Sequence, residues 1–171
     1  MKHPLSGALG QMQLNLVDFV DGKTAPQKAP IPDDPVIMAR HVKEAAYFLR
    51  ADIVGICALP PYAVYTNSMA TGEPVELDHK FAIAIIVDQD WKTADATVGN
   101  DWISNSMSFM AYSASGFIAC ILADYIRRLG YPARAHHARD YQVVLPPILL
   151  KAGIGEVCRI GDIVLNPFIG P

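Results

Sequence analysis

Glycine and proline punctuate residues 129–171, and they constrain the backbone of this chain more than any other feature of its sequence. Gly130 is expected to end a helix, because glycine readily adopts the positive φ of a helix C-terminus. Pro132 then fixes φ and removes a backbone donor, so residues 131–137 are expected to be extended. A turn-rich stretch follows, whose backbone can lie close against a flat ligand; its glycines are Gly153, Gly155 and Gly161.

The rest of the chain alternates helical and strand patterns. Asp34 followed by Pro35 makes a favourable helix start, since a carboxylate caps the first turn and proline fits there. Elsewhere, helices are predicted from apolar residues at helical spacing and strands from short apolar runs. The predicted helices are 35–50, 103–129 and 145–152, and the predicted strands are 52–57, 80–87 (fully buried) and 133–139. The expected fold class is α+β, with layered elements.

The chain is predicted to divide near residue 34. Residues 1–34 carry little charge and several prolines, which predicts an N-terminal arm with a short strand or helix at 14–20, followed by an extended linker. Such an arm more often wraps a neighbour than forms its own core. Residues 35–171 are then expected to form one α/β domain, large enough to bury a substantial core.

Composition excludes several classes of function. Fourteen basic residues against 17 acidic ones give a net charge of −3, which argues against a nucleic-acid partner. The sequence contains no run of 18 consecutive apolar residues, so no membrane span is predicted. The N-terminus has neither a signal-peptide pattern nor a twin-arginine motif, so a cytoplasmic location is expected. The widely spaced cysteines form no Cys-x-x-Cys motif, which argues against a disulfide framework, a zinc site or an iron–sulfur cluster; they are Cys57, Cys120 and Cys158.

A long ordered set of residues in the last third resembles a known family. The set is Gly130, Tyr131, Ala133, Pro147, Ala152, Gly153, Gly155, Glu156, Arg159, Gly161, Pro167, Gly170 and Pro171. It is similar to the corrinoid-binding core of the reductive dehalogenases and the epoxyqueuosine reductases, and residues 50–56 match the family's first strand. Ile154 replaces a common leucine, and residues 164–166 depart from the family's Leu-Ile-Thr. The resemblance implies a nitroreductase-like α/β sandwich for residues 35–171.

The resemblance also implies a cofactor. Base-off cobalamin would lie over residues 131–137 and 153–168, with contacts from Tyr131, Ala133, His136, Gly153, Gly155, Arg159, Gly161 and Phe168. In the family, an iron–sulfur part follows the Gly-Pro that ends this stretch, whereas this sequence ends at Pro171. We therefore expect a shortened form without a cluster of its own, which would need electrons from a separate or missing iron–sulfur protein or domain.

Two tyrosines after the first strand are the candidate proton donors. Tyrosine can protonate a carbon radical or carbanion when nearby positive charge lowers its pKa. In the family a tyrosine donor lies over the cobalt, which implies Tyr65 first and Tyr62 second; otherwise both are loop aromatics packed on a groove. Arg134 and Arg139, on the predicted third strand, are the candidate basic partners; otherwise both are surface strand residues paired with Asp140 or Glu156.

Three functions remain open. The first is a reductive dehalogenase-type oxidoreductase that cleaves carbon–halogen bonds in small organohalides. The second is a non-catalytic corrinoid-binding or trafficking module, and the third is an apo interaction domain whose apolar surface covers a partner. The apolar balance and the N-terminal arm also suggest a possible homodimer. No metal site is expected, because the adjacent His136 and His137 would point to opposite faces of a strand.

Overall fold

The computed structural model describes residues 3–99, 101–161 and 163–170. Helices and strands are mixed along the chain, which confirms an α+β fold. The helices are α1 (Pro4–Asn15), α2 (Pro35–Phe48), α3 (Trp91–Ala96), α4 (Ser104–Arg128) and α5 (Leu145–Lys151), with 3₁₀-helices at Leu16–Phe19 and Pro61–Ala63. The strands are β1 (Ile53–Ala58), β2 (Phe81–Ile86), β3 (Glu156–Val157) and β4 (Val164–Leu165).

Helix α4 is the centre of the fold. Most of its buried residues are small, and the larger ones are Ile118, Leu122 and Arg127, so that neighbouring elements pack closely on more than one side. Gly130 ends the helix as predicted: its φ is 87°, its N–H donates to Arg127, and the Tyr131 N–H donates to Ile126. By length and composition alone, α4 could also cross a membrane. The helix packs against α1, α2 and β2, which buries part of its apolar surface.

The N-terminal segment packs against α4, where the sequence predicted a separate arm. The Ser6 hydroxyl lies 2.9 Å from that of Ser106, and the Gln13 amide donates to the Phe109 carbonyl at 3.0 Å. The following 3₁₀-helix, at the position of the expected short element, buries Leu16 in a cluster with Cys120, Ala123 and Ala135. Residues 4–20 therefore contribute to the core of this chain.

The sheet is smaller than predicted. Strands β1 and β2 pair antiparallel, with Gly55 opposite Ala84, and no third strand joins them among the described residues. Helix α2 packs on β1, and its N-cap Asp34 accepts from the Val36 N–H as the sequence predicted. The prediction that 80–87 is fully buried is wrong, because Phe81 is exposed and one edge of β2 lacks a partner strand.

The predicted strand at 133–139 is wrong. The segment is extended but makes only one isolated bridge, between His137 and Asp140. Its backbone is held by turns and side chains instead: the Ala135 N–H donates to Val20, and the Ala133 carbonyl accepts from the Arg127 guanidinium. Pro132 removes one further donor, so the segment cannot continue a ladder.

The last elements form a compact turn beside β1. Helix α5 ends at Gly153, whose φ is 71°, with the Ile154 N–H returning to Leu149. The short strands β3 and β4 then pair antiparallel. A Cβ on Gly55 would lie 2.7 Å from the Ala152 Cβ, so glycine in β1 is what allows this turn to approach the sheet.

Candidate functional site

The loop after β1 places Tyr65 against residues 141–144. Its backbone N–H donates to the Gln142 carbonyl at 3.0 Å, and the Val144 N–H donates to Ala63 at 2.7 Å. The Tyr65 ring lies 6.0 Å from the Tyr141 ring at 51°, a tilted aromatic pair. Tyr65 is half-buried, whereas Tyr62 is 67% exposed on the 3₁₀-helix. Of the two candidate donors, Tyr65 is the one whose position is fixed by neighbours.

His136 connects this loop to a buried ion cluster. Its Nδ1 accepts from the Gln142 N–H at 3.1 Å and lies 3.3 Å from the Arg134 guanidinium. Burial, followed by the charge of Arg134, lowers the pKa of His136 to about 4. The imidazole is therefore neutral at physiological pH.

Arg134 is the centre of that ion cluster. Its side chain is 7% exposed, and it donates to Asp140 at 2.8 Å, to Asp21 at 3.1 Å and to the Ala135 carbonyl at 3.0 Å. The predicted pairing with Asp140 is confirmed, but the expected surface position is wrong, because the Arg134 side chain is buried. No contact joins the guanidinium to Tyr65, so Arg134 reaches the tyrosine loop through His136 and Gln142.

The glycine turn offers an open surface next to this loop. Cβ atoms placed on Gly153 and Gly161 would meet nothing within 4 Å, and Phe168 projects from the same turn region with 86% of its surface exposed. Arg159 is exposed on the β3–β4 turn. Gly155 differs, because a Cβ there would collide with the Val164 side chain of β4. Gly155 is thus required by internal packing.

Tyr131 and Ala133 belong to a different neighbourhood. The Lys28 ammonium lies 5.3 Å from the centroid of the Tyr131 ring, a cation–π contact with the N-terminal segment. Ala133 packs against the cluster that contains Leu16 and Cys120. The structure therefore links Tyr65 and His136 through the backbone of Gln142, whereas the ring of Tyr131 contacts Lys28 and Ala133 packs against the cluster that contains Leu16.

Several residues of the network were missed by the sequence analysis. Asp21, Tyr141 and Gln142 carry no local motif, and their contacts with Arg134, Tyr65 and His136 join distant parts of the chain. The one sequence feature that could have indicated this network is Asp140, which lies shortly after the two histidines. The sequence analysis considered it only as an ion-pair partner. Among the described residues, no group of three His, Cys, Asp or Glu side chains could hold a metal ion.

Comparison with solved structures finds similarity to reductive dehalogenases. The catabolic reductive dehalogenase NpRdhA in complex with 3-bromo-4-hydroxybenzoic acid matches at 41% identity and a TM-score of 0.92, over 100% of this chain. A tagged variant of that enzyme matches at 40% identity with the same TM-score, and a structure described as suggesting a mechanism for B12-dependent dehalogenation matches at 41%. The chain is a relative of the reductive dehalogenases.

The relationship covers only part of those enzymes. This reductive dehalogenase relative spans 25% of the length of the chains that it matches. No protein-family model matches it, and no curated protein matches it either. The predicted resemblance to reductive dehalogenases, carried by residues 50–56 and 130–171, is confirmed, and the similarity to these structures extends over the full length of the chain.

Proposed function

We propose that the chain is a cobalamin-binding module of a reductive dehalogenase-like oxidoreductase that acts on small organohalides. The observation that carries the proposal is the match at 41% identity to a structure described in terms of B12-dependent dehalogenation. The neighbour in complex with 3-bromo-4-hydroxybenzoic acid supports a halogenated phenolic acid as the substrate class. A nitroreductase-like α/β sandwich over residues 35–171 is part of the same proposal.

The turn region around Gly153 and Gly161 fits a flat, largely apolar group. Both glycines are uncovered, and exposed Ile160 and Phe168 add apolar surface beside them. These residues would hold the corrinoid, with Arg159 available to the polar groups at its rim. Bound cobalamin in its base-off form would supply the electrons that reach the carbon–halogen bond.

Tyr65 supplies the proton in this proposal. Replacing a halogen by hydrogen consumes two electrons and one proton and releases halide. The Tyr65 hydroxyl gives that proton to the substrate carbon and is reprotonated from solvent. The bond from the Tyr65 N–H to Gln142, and the bond from Gln142 to His136, keep the loop in place during this transfer. Arg134 acts as a positioning residue through His136.

The electrons must come from elsewhere. We propose a separate iron–sulfur protein or domain as the donor, because the described Cys57, Cys120 and Cys158 are far apart in sequence and form no metal-binding group. A chemical reductant can take its place in a test. The corrinoid-loaded chain with excess titanium(III) citrate is expected to release bromide from 3-bromo-4-hydroxybenzoic acid, and the corrinoid-free chain with the same reductant is not. Equal release from both would contradict the proposal.

The second candidate is an interaction module, and its support is the exposed apolar surface. The accessible surface of the chain is 11066 Å², whereas a folded monomer of this size is expected to expose about 8,200 Å². A stable interface requires only about 800 Å² per partner. An apolar groove of about 360 Å³ lies between α2 and α4, lined by residues that include Leu49, Ile121 and Tyr125. We propose that a second copy of the chain covers this face.

The exposed side chain of Phe48 tests that candidate. Phe48 lines the groove and is 84% exposed, so in a two-fold dimer it would insert into the partner's groove. Phe48→Asp is expected to convert the dimer to a monomer in light scattering coupled to gel filtration, because it places a charge in an apolar contact. Val36→Asp is the matched control: it lies on the same helix, is 64% exposed and does not line the groove. A wild-type monomer, or equal effects of the two variants, would contradict the dimer.

A further inference from the structure

The two ring nitrogens of His136 have different environments. Nδ1 lies 3.1 Å from the backbone nitrogen of Gln142 and 3.3 Å from NH1 of Arg134. A backbone N–H and a guanidinium can only donate hydrogen bonds. Nδ1 must therefore be the unprotonated acceptor, and in the neutral ring the proton resides on Nε2.

The Nε2 atom of His136 lacks a hydrogen-bond partner among the described residues, and its surface is not completely covered by neighbouring atoms. The Nε2 of the adjacent His137 is enclosed, and that ring packs against Gly116 of α4. Of the two histidines, only His136 presents a donor that a ligand could reach.

The environment of the ring resists a second proton. Burial of the ring is the largest cause of its lowered pKa, followed by the charge of Arg134; His79 and His137 act in the same direction, and Asp140 acts against them. Asp140 is itself paired with Arg134 at 2.8 Å, as is Asp21 at 3.1 Å, so both carboxylates are engaged by the guanidinium. The ring is held in one orientation by groups that are themselves fixed.

We infer that His136 is locked as the neutral Nε2–H tautomer and serves as a fixed hydrogen-bond donor to an oxygen acceptor of the bound ligand. The assignment of a ligand rests on the proposed function, which supplies two sources of such an oxygen. One is an amide carbonyl of the corrinoid side chains, and the other is the carboxylate or phenolate of a halogenated hydroxybenzoic acid. In both cases the donor is neutral, so the contact selects oxygen acceptors without adding charge to the site.

Nitrogen-15 NMR of the histidine rings tests the tautomer without any ligand. At pH 7 the expected spectrum shows an unprotonated Nδ1 and a protonated Nε2 for His136, unchanged on acidification until the pH approaches 4. A protonated Nδ1, or fast averaging of the two tautomers, would overturn the inference whatever the corrinoid result. If NMR finds the locked tautomer but the chain does not retain corrinoid, the tautomer inference stands and the proposal that the chain binds cobalamin is overturned.

Two substitutions then separate the donor from the acceptor of the ring. His136→Asn places an oxygen near the position of Nδ1 and removes the Nε2 donor, so it is expected to keep the melting temperature but weaken ligand binding about tenfold. His136→Gln keeps a donor near Nε2 and loses the inner acceptor, so it is expected to bind within a few-fold of wild type but melt earlier. Parallel loss of both properties in both variants would indicate a structural role only and overturn the inference.

The ligand source is decided by two probes added to the wild-type chain. Hydroxocobalamin and 3-bromo-4-hydroxybenzoic acid are titrated separately while the Nε2 resonance of His136 is followed. A shift with the corrinoid assigns the acceptor to its side-chain amides, and a shift with the aromatic acid assigns it to the substrate. No shift with either probe would overturn the role of His136 as a ligand donor.

Discussion

Tyr65→Phe is expected to lower bromide release by the corrinoid-loaded, chemically reduced chain by a factor of about 10²–10⁴, the usual contribution of a positioned proton donor. Corrinoid retention should be unchanged, because the substitution removes one hydroxyl and keeps the aromatic pair with Tyr141. The backbone bond from residue 65 to Gln142 is also kept. The loss should therefore appear in turnover, and the amount of bound cofactor should stay constant.

Two further tyrosines make this result interpretable. Tyr47→Phe is the control, since Tyr47 lies on α2, outside the candidate site, and is 46% exposed. Tyr62→Phe tests the competing donor on the 3₁₀-helix. Loss of turnover in Tyr62→Phe with full activity in Tyr65→Phe would move the donor to Tyr62. Full activity in both variants would contradict a tyrosine donor in this loop.

Arg134→Met is expected to cost on the order of 3 kcal/mol in the free energy of unfolding, because it leaves buried acceptors without their cation. Asp140 is largely buried and loses its 2.8 Å partner, and the Ala135 carbonyl loses a donor. Asp21 is mostly exposed, so water can solvate its carboxylate once Arg134 is removed. The expected loss of unfolding free energy is therefore near the lower end of the range for a broken buried ion pair. Urea denaturation monitored by circular dichroism measures the change.

An exposed arginine supplies the control for that measurement. Arg128 pairs with Asp124 at 2.6 Å on the surface of α4, where solvent and salt screen the interaction. Arg128→Met should leave the unfolding midpoint nearly unchanged although it also removes an ion pair. Similar midpoints for the two variants would contradict a structural role for the cluster around Arg134.

The pH dependence of stability should reflect the same cluster. The pKa of His136 in the fold, about 4, lies below the ordinary value of 6.5 for histidine. The unfolded chain therefore binds this proton more readily, so the contribution of neutral His136 is complete above pH 6.5 and is lost as the pH falls towards 4.

Helix ends that are marked by capping residues in the sequence were predicted well. Asp34 caps α2 with its own carboxylate, and Gly130 and Gly153 end α4 and α5 with positive φ. These signals act within one turn of the helix, so they can be read without knowing the rest of the fold. The same holds for β1, whose apolar run is short and bounded by turns.

Helix α1 could not be predicted because its buried face is polar. Ser6, Gly10 and Gln13 face α4, whereas Leu5 and Met12 are exposed, which inverts the usual amphipathic pattern. Its attachment depends on hydrogen bonds to residues about a hundred positions away in the sequence. A reading based on apolar periodicity cannot detect such a contact.

The connections between the candidate site residues could not be predicted from the sequence. The tyrosine, the arginine and the histidine were named from a family resemblance, but the residues that join them carry no motif. Gln142 uses only its backbone, whose N–H and carbonyl bond to His136 and Tyr65. Since any residue except proline could supply the N–H, the side chain at this position gave no signal.

Corrinoid retention tests the central claim most directly. The purified chain is mixed with excess hydroxocobalamin, desalted, and examined by ultraviolet–visible spectroscopy, with heat-unfolded chain as the control. The proposed function predicts retention of close to one corrinoid per chain, with the spectrum of the base-off form. A desalted chain that carries no more corrinoid than the unfolded control would contradict a cobalamin-binding module and leave the interaction module as the function that the exposed apolar face supports.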